Sequence, residues 1–272
     1  MFSVYDKSRR SQLQKEITTL SQLECESLIT FYGAFHKEGN IGVILEYMDR
    51  GSLEFLMDAD VAVTDHAMAC IAFQVVWGLA YLHYDNMLHR DIKPGNVLLN
   101  SRGAVKLSDF GITRMLDDSQ GFSSTSVGTL NYMSIERLMG HDYNASSDVW
   151  SVAIMLIELW EKRYPFSSSC SSPIDLVQTL EDSKANGFQD IIPRSCSKSF
   201  RQFLHAALNM ESLSNKETGC AVSNTLPIRA SFYCDWLNVV FRKLLHVNWF
   251  TNQMLDVVEV AQEVGIICQT LK

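Results

Sequence analysis

The 272-residue chain has no Cys-x-x-Cys pair, no apolar run long enough to cross a bilayer, no internal repeat and no excess of basic residues. Each absence removes a class of protein. The seven cysteines stand at positions 25, 70, 170, 196, 220, 234 and 268, odd in number and without metal-ligand spacing. They fit free thiols in a reducing compartment, not a disulfide framework. The longest apolar stretch, Val149 to Trp160, falls short of the ~20 residues of a membrane helix and carries Glu158. Asp6 and Lys7 interrupt any apolar core of a signal peptide. A formal net charge of −8 argues against nucleic acid or an anionic membrane as the main partner. The expected setting is cytoplasmic. What is present, 47% hydrophobic and 20% charged residues, suits a globular chain with a substantial core.

Hydrophobic periodicity divides the chain into elements. Leu13, Ile17 and Leu20 fall at helical spacing within residues 7–24. Leu28–Phe35 and Ile41–Glu46 read as strands joined by a turn at Lys37-Glu38-Gly39-Asn40. Ala67–Tyr84 and Ser147–Lys162 read as buried helices, with Asp148 near the start of the second, where the helix dipole favours a carboxylate. Val97–Leu99 and Val105–Leu107 flank Asn100-Ser101-Arg102-Gly103, a second hairpin. Residues 112–137 are rich in Ser and Thr and read as a loop. Pro173–Leu180 and Ser197–Leu208 read as amphipathic helices, 211–226 loses all apolar period, and Asn252–Leu271 reads as a closing helix.

The chemistry is concentrated at residues 89–96, His-Arg-Asp-Ile-Lys-Pro-Gly-Asn, and at Asp109-Phe110-Gly111 beyond the second hairpin. Phosphoryl transfer from ATP needs a carboxylate to orient the attacking hydroxyl, a cation near the moving phosphoryl, and oxygen ligands for Mg²⁺. Asp91, Lys93, Asn96 and Asp109 supply that set in one register. A lone Asp-Phe-Gly is common by chance; an eight-residue loop, two strands and a second loop in order are not.

From Leu13 to Phe250 the chain resembles the eukaryotic protein kinases. More narrowly it resembles the MAP kinase kinases, through Phe31-Tyr32-Gly33-Ala34-Phe35, Glu46-Tyr47-Met48-Asp49 with Gly51-Ser52-Leu53, Val127-Gly128-Thr129 with Tyr132-Met133-Ser134, and Arg163-Tyr164-Pro165-Phe166. The resemblance implies an α+β, two-lobed kinase fold. Residues 1–48 would form a partial small lobe with one helix, two strands and a hinge, and 49–272 a helical lobe. It implies ATP and Mg²⁺ as cofactors, a MAP kinase as substrate phosphorylated on Thr and Tyr, and an upstream MAP kinase kinase kinase as activator. By the same resemblance Asp91 orients the substrate hydroxyl, Lys93 neutralises the γ-phosphoryl, and Asn96 and Asp109 hold the metal. Leu45 would be the gatekeeper, Glu46–Met48 and Ser52 would meet the nucleotide, and Leu98 would floor the adenine. His89, Phe110, Leu20 and Phe31 match a stacked apolar column between the lobes. Asp148 matches the helix carboxylate that pins the catalytic loop, and Ser119 and Thr125 match the phosphorylated positions.

The chain also departs from that pattern. No Gly-x-Gly-x-x-Gly occurs, and the strand lysine that should pair with Glu16 would fall roughly sixteen residues earlier, before Met1. Met1 therefore reads as an internal methionine of a longer chain. The alternative is a non-catalytic kinase-like protein that binds cascade partners. Ile135 stands where the family has Pro, and Glu136 would pair with Arg229. The interval before Phe250 is long, with 211–226 read as an insertion, either a functional loop or a stretch from an unspliced intron or alternative exon.

Overall fold

A computed structural model describes residues 2–3, 17–18, 20–38, 40–59, 62–109, 130–140, 144–166 and 172–210. Glu16, Phe110, Ser119, Thr125, Arg229 and the expected insertion 211–226 lie outside these.

Three strands form a small antiparallel sheet in the order β1-β3-β2: β1 (Phe2–Ser3), β2 (Phe31–Lys37) and β3 (Asn40–Leu45). The β2–β3 hairpin closes where expected, Lys37 opposite Asn40, with Glu38 in the left-handed region at φ 52° that such tight turns demand. One expectation needs correction. The first strand begins at Phe31, not Leu28; Leu28 instead bridges Leu107 in parallel, and Ile29 N–H donates to the Leu107 carbonyl at 2.9 Å. An apolar, β-branched run cannot by itself declare which partner it will join. On its other side β3 is paired as well: Phe2 and Ser3 stand opposite Ile41 and Asn40, which covers that stretch of its edge. Phe35 lies flat over Gly42, where an added Cβ would fall 2.3 Å from the ring, so glycine is what admits the aromatic cover.

The helical part is built from α1 (Leu53–Asp58), α2 (Asp65–Tyr84), α3 (Ile135–Leu138), α4 (Ala145–Glu161), α5 (Pro173–Ala185) and α6 (Lys198–Leu208). Their starts follow from capping side chains. Thr64 accepts from Ala67 N–H, Asn144 from Ser146 and Ser147, Ser172 from Asp175 ahead of Pro173, and Ser197 from Phe200. Helix α3 takes up the end of the segment read as loop through residue 137, because Ser134 halts the chain in extended backbone and the next four residues turn helical.

Helix α4 runs through the middle, packed on α2 and α6, and its residues from Ser146 to Leu159 are buried all round. A helix apolar on every face belongs in a core. Although no unbroken apolar run is that long, helix α2 as a whole has the length and mean hydropathy of a membrane span, and most of it lies buried in the same core. It approaches the β4–β5 hairpin (Val97–Leu99 and Val105–Leu107) closely. A Cβ on Gly78 would come within 3.0 Å of both the Ser27 carbonyl and Leu107. This contact sets the hairpin directly on the core, and both functional loops leave from the hairpin's ends.

Candidate active site

The hairpin register explains why the two loops meet. Val97 pairs with Leu107 and Leu99 with Val105, so Asn96 and Ser108 are adjacent across the open end. Ser108 closes that end twice: its N–H donates to the Asn96 carbonyl at 2.9 Å and its hydroxyl to the same oxygen at 3.1 Å. Asp109 follows at φ 56°, a left-handed turn that a short polar side chain tolerates, and is exposed. At the far end Asn100 Oδ1 accepts from the N–H groups of Arg102 and Ala104, folding the turn around itself.

The 89–96 loop is held from below by one buried carboxylate. Asp148, fully inaccessible on α4, accepts from the N–H of His89 at 2.9 Å and of Arg90 at 2.9 Å, and contacts His83 Nε2 at 2.7 Å. Its place near the helix start and its hold on the 89–96 loop are as expected; the added partner is a histidine from α2. A buried carboxylate is stable only when so satisfied. His89 is equally buried; burial pushes its imidazole pKa down, against the pull of Asp148 and Asp91, so the ring is neutral and accepts the Asp91 N–H through Nδ1 at 3.3 Å.

Asp91, Lys93 and Asn96 come together as expected. Lys93 Nζ lies 3.0 Å from Asp91 Oδ2, and Asn96 Nδ2 donates to the same oxygen and to the Asp91 carbonyl, each at 2.8 Å. Pro94 to Asn96 forms one 3₁₀ turn that brings Asn96 back beneath Asp91. With its nitrogen committed to Asp91, the Asn96 amide has its oxygen left for another ligand. That oxygen and the exposed carboxylate of Asp109 are hard donors of the kind Mg²⁺ selects, so the residues fit that cation.

Of the other expected binding residues, the structure brings Ser52 to Leu98. Ser52 bridges Leu98 across an antiparallel pair, and Gly51 and Arg50 exchange backbone bonds with Leu99. Leu45 ends β3 opposite Phe31 and is 38% exposed; Met48 is buried. Glu46 has a role beyond the one expected. Its N–H donates to the Thr30 carbonyl, and its carboxylate takes Lys106 Nζ at 2.7 Å and the Thr30 hydroxyl at 2.8 Å. Burial alone would raise its pKa, but Lys106 and Thr30 outweigh that and hold it below the ordinary glutamate value. Leu20 and Phe31 share a small apolar cluster, as the column predicts. Glu136 accepts from the Ser147 hydroxyl at 2.7 Å, while its expected partner Arg229 is outside the described residues.

Reading the sequence missed His83 and Lys106. Lys106 had one available signal, since its register in the hairpin puts it opposite Leu98. His83 had none beyond being a polar residue in an apolar helix.

Comparison with known proteins agrees with this geometry. Residues 3–215 match the family model described as the protein kinase domain. Mitogen-activated protein kinase kinase 2 of Arabidopsis thaliana is 37% identical over 183 residues, 65% of this chain and 50% of that protein. Mitogen-activated protein kinase kinase 3 of the same plant is 35% identical over 201 residues, 72% of this chain and 38% of its own. Mitogen-activated protein kinase kinase SIPKK of Nicotiana tabacum is 34% identical over 212 residues, covering 76% and 58%. The chain thus spans about half the length of the curated relatives it matches.

Proposed function

Since the chain belongs to the protein kinase domain family and is of the MAP kinase kinase type, we propose that it transfers the γ-phosphoryl of ATP to Thr and Tyr in the activation loop of a MAP kinase. An upstream MAP kinase kinase kinase would switch it on at Ser119 and Thr125. The observation that carries this reading is the state of Asp91: a carboxylate fixed by Lys93 and Asn96 on a loop whose backbone is tied to the core through Asp148.

In this reading Asp91 orients the attacking hydroxyl and takes its proton, and its second oxygen stays with Lys93 and Asn96. Lys93, beside Asp91, would balance charge on the moving phosphoryl. Asn96 and Asp109 would hold Mg²⁺, which when bound neutralises the phosphate oxygens. Leu45 would stand as gatekeeper, Leu98 would floor the adenine, and the backbone of Glu46–Met48 would meet its polar edge. Fixing Asp91 before the substrate arrives removes a reorganisation cost from the reaction itself.

The test is phosphate transfer by the full-length protein to an inactive MAP kinase, with the products mapped by mass. Asp91→Ala should lower transfer by about 10²–10⁴-fold and Asp109→Ala should abolish Mg²⁺ dependence along with activity. Phosphate on both Thr and Tyr supports the proposal. Phosphate on Ser or Thr alone moves the substrate to other targets, and binding without transfer replaces the enzyme with an interaction protein.

A further inference from the structure

The peptide bond that delivers Asp91 is held at both ends, and one of the holders comes from a distant helix. Arg90 adopts φ 66°, a left-handed backbone unusual for a side chain of its size. Such a conformation persists only where surrounding groups over-determine it. Here Asp148 Oδ1 takes the Arg90 N–H at 2.9 Å, and Arg137 Nη1, on α3, donates to the Arg90 carbonyl at 2.6 Å. On the far side of the same peptide, the Asp91 N–H meets His89 Nδ1 at 3.3 Å. Rotation about the bond leading into that peptide would swing the Asp91 carboxylate away from Lys93 and Asn96.

We propose that Arg137 is a positioning residue for Asp91, acting through the Arg90 carbonyl; the inference rests on the kinase reading given above. A guanidinium suits the task because its planar fork keeps one donor aimed at an acceptor with little freedom to stray. Whatever sets the orientation of α3 therefore sets one end of the Asp91 peptide. Asp148 supplies the half of the clamp that lies in the core and Arg137 the half that lies at the surface.

Steady-state kinetics on the full-length, activated protein with a MAP kinase acceptor test the proposal. Arg137→Met should lower kcat about tenfold or more, since misplacing a reacting group by even ~1 Å is expensive. KM for ATP should remain within about twofold, because the nucleotide slot is untouched. Arg137→Lys, whose ammonium still reaches the carbonyl, should restore most of the loss. The thermal midpoint of both variants should match wild type, the contact being at the surface. A wild-type kcat in Arg137→Met, a change confined to KM, or a lysine variant as impaired as the methionine one would each overturn it. Asp91→Asn in the same assay keeps the two questions apart. If that variant still transfers phosphate, the kinase reading itself has failed; if it is inactive while Arg137→Met is fully active, only the positioning role is lost.

Discussion

The catalytic loop and the hinge are each tied down by a single carboxylate, and the two ties sit in different surroundings. Asp148 is inaccessible, on a helix buried along its whole length, and engages two backbone amides and a histidine. Glu46 keeps 16% of its side chain exposed and engages Lys106, itself 12% exposed, and Thr30. The first lies in the thick helical core; the second lies beside a three-stranded sheet whose apolar cluster, among the described residues, centres on Leu20. Buried ties have no water to replace a lost partner, so they fix geometry. Shallow ones are screened and replaceable, so they leave a segment room to adjust. The deeper tie thus holds the loop that carries Asp91, and the shallower one holds the end of the small sheet.

Breaking the deep tie should have the largest effect. Asp148→Ala leaves two amides and His83 without their shared acceptor inside the core and should cost about 3–5 kcal/mol of stability. Urea unfolding measures it, and a loss below ~1 kcal/mol would erase the contrast drawn here. Next comes packing. Phe203→Ala in the helical core should cost about 3–5 kcal/mol, whereas Ile41→Ala, half-buried in the small sheet, should cost about 1 kcal/mol. Equal losses would mean that the two regions share one cooperative core.

The smallest effect belongs to Lys106→Met, about 1 kcal/mol or less, together with a rise of a few fold in KM for ATP as the hinge loosens. Its pH dependence has a definite sign. Glu46 is held below the ordinary value of 4.5, so the stability that it lends is present above 4.5 and is lost as pH falls through its lower folded value. Thermal midpoints of wild type and Lys106→Met should therefore differ at neutral pH and converge in acid. A gap that persists in acid assigns Lys106 some partner other than Glu46.

Much of this arrangement is visible in the chain before it folds. The expected helices at 67–84, 147–162 and 197–208 agree with Asp65–Tyr84, Ala145–Glu161 and Lys198–Leu208 to within two residues at each end. The expected Pro173–Leu180 is the first two turns of a longer helix reaching Ala185, because its later, polar residues carry no apolar signal. Both hairpins fall where their turn residues stand. Asp91, Lys93 and Asn96 converge because five residues and one 3₁₀ turn are enough to close them on each other. Leu28–Thr30 shows the limit: its composition suits a strand of either neighbour, and only the close approach of α2 at Gly78 leaves Leu107 as the edge it meets.

What the chain encodes directly is local: which segments coil or extend, where caps and turns stop them, and that Asp91, Lys93 and Asn96 share one short loop. Those choices depend on sterics and hydrogen bonds a few residues apart. Tertiary structure alone decided that Asp148 reaches back 58 and 59 residues to Arg90 and His89, that Arg137 meets the Arg90 carbonyl 47 residues away, and that Glu46 finds Lys106 across 60. No periodicity encodes such pairs. They exist because burying the apolar faces of α2 and α4 brings distant polar groups together, and each must then find a partner where water is absent.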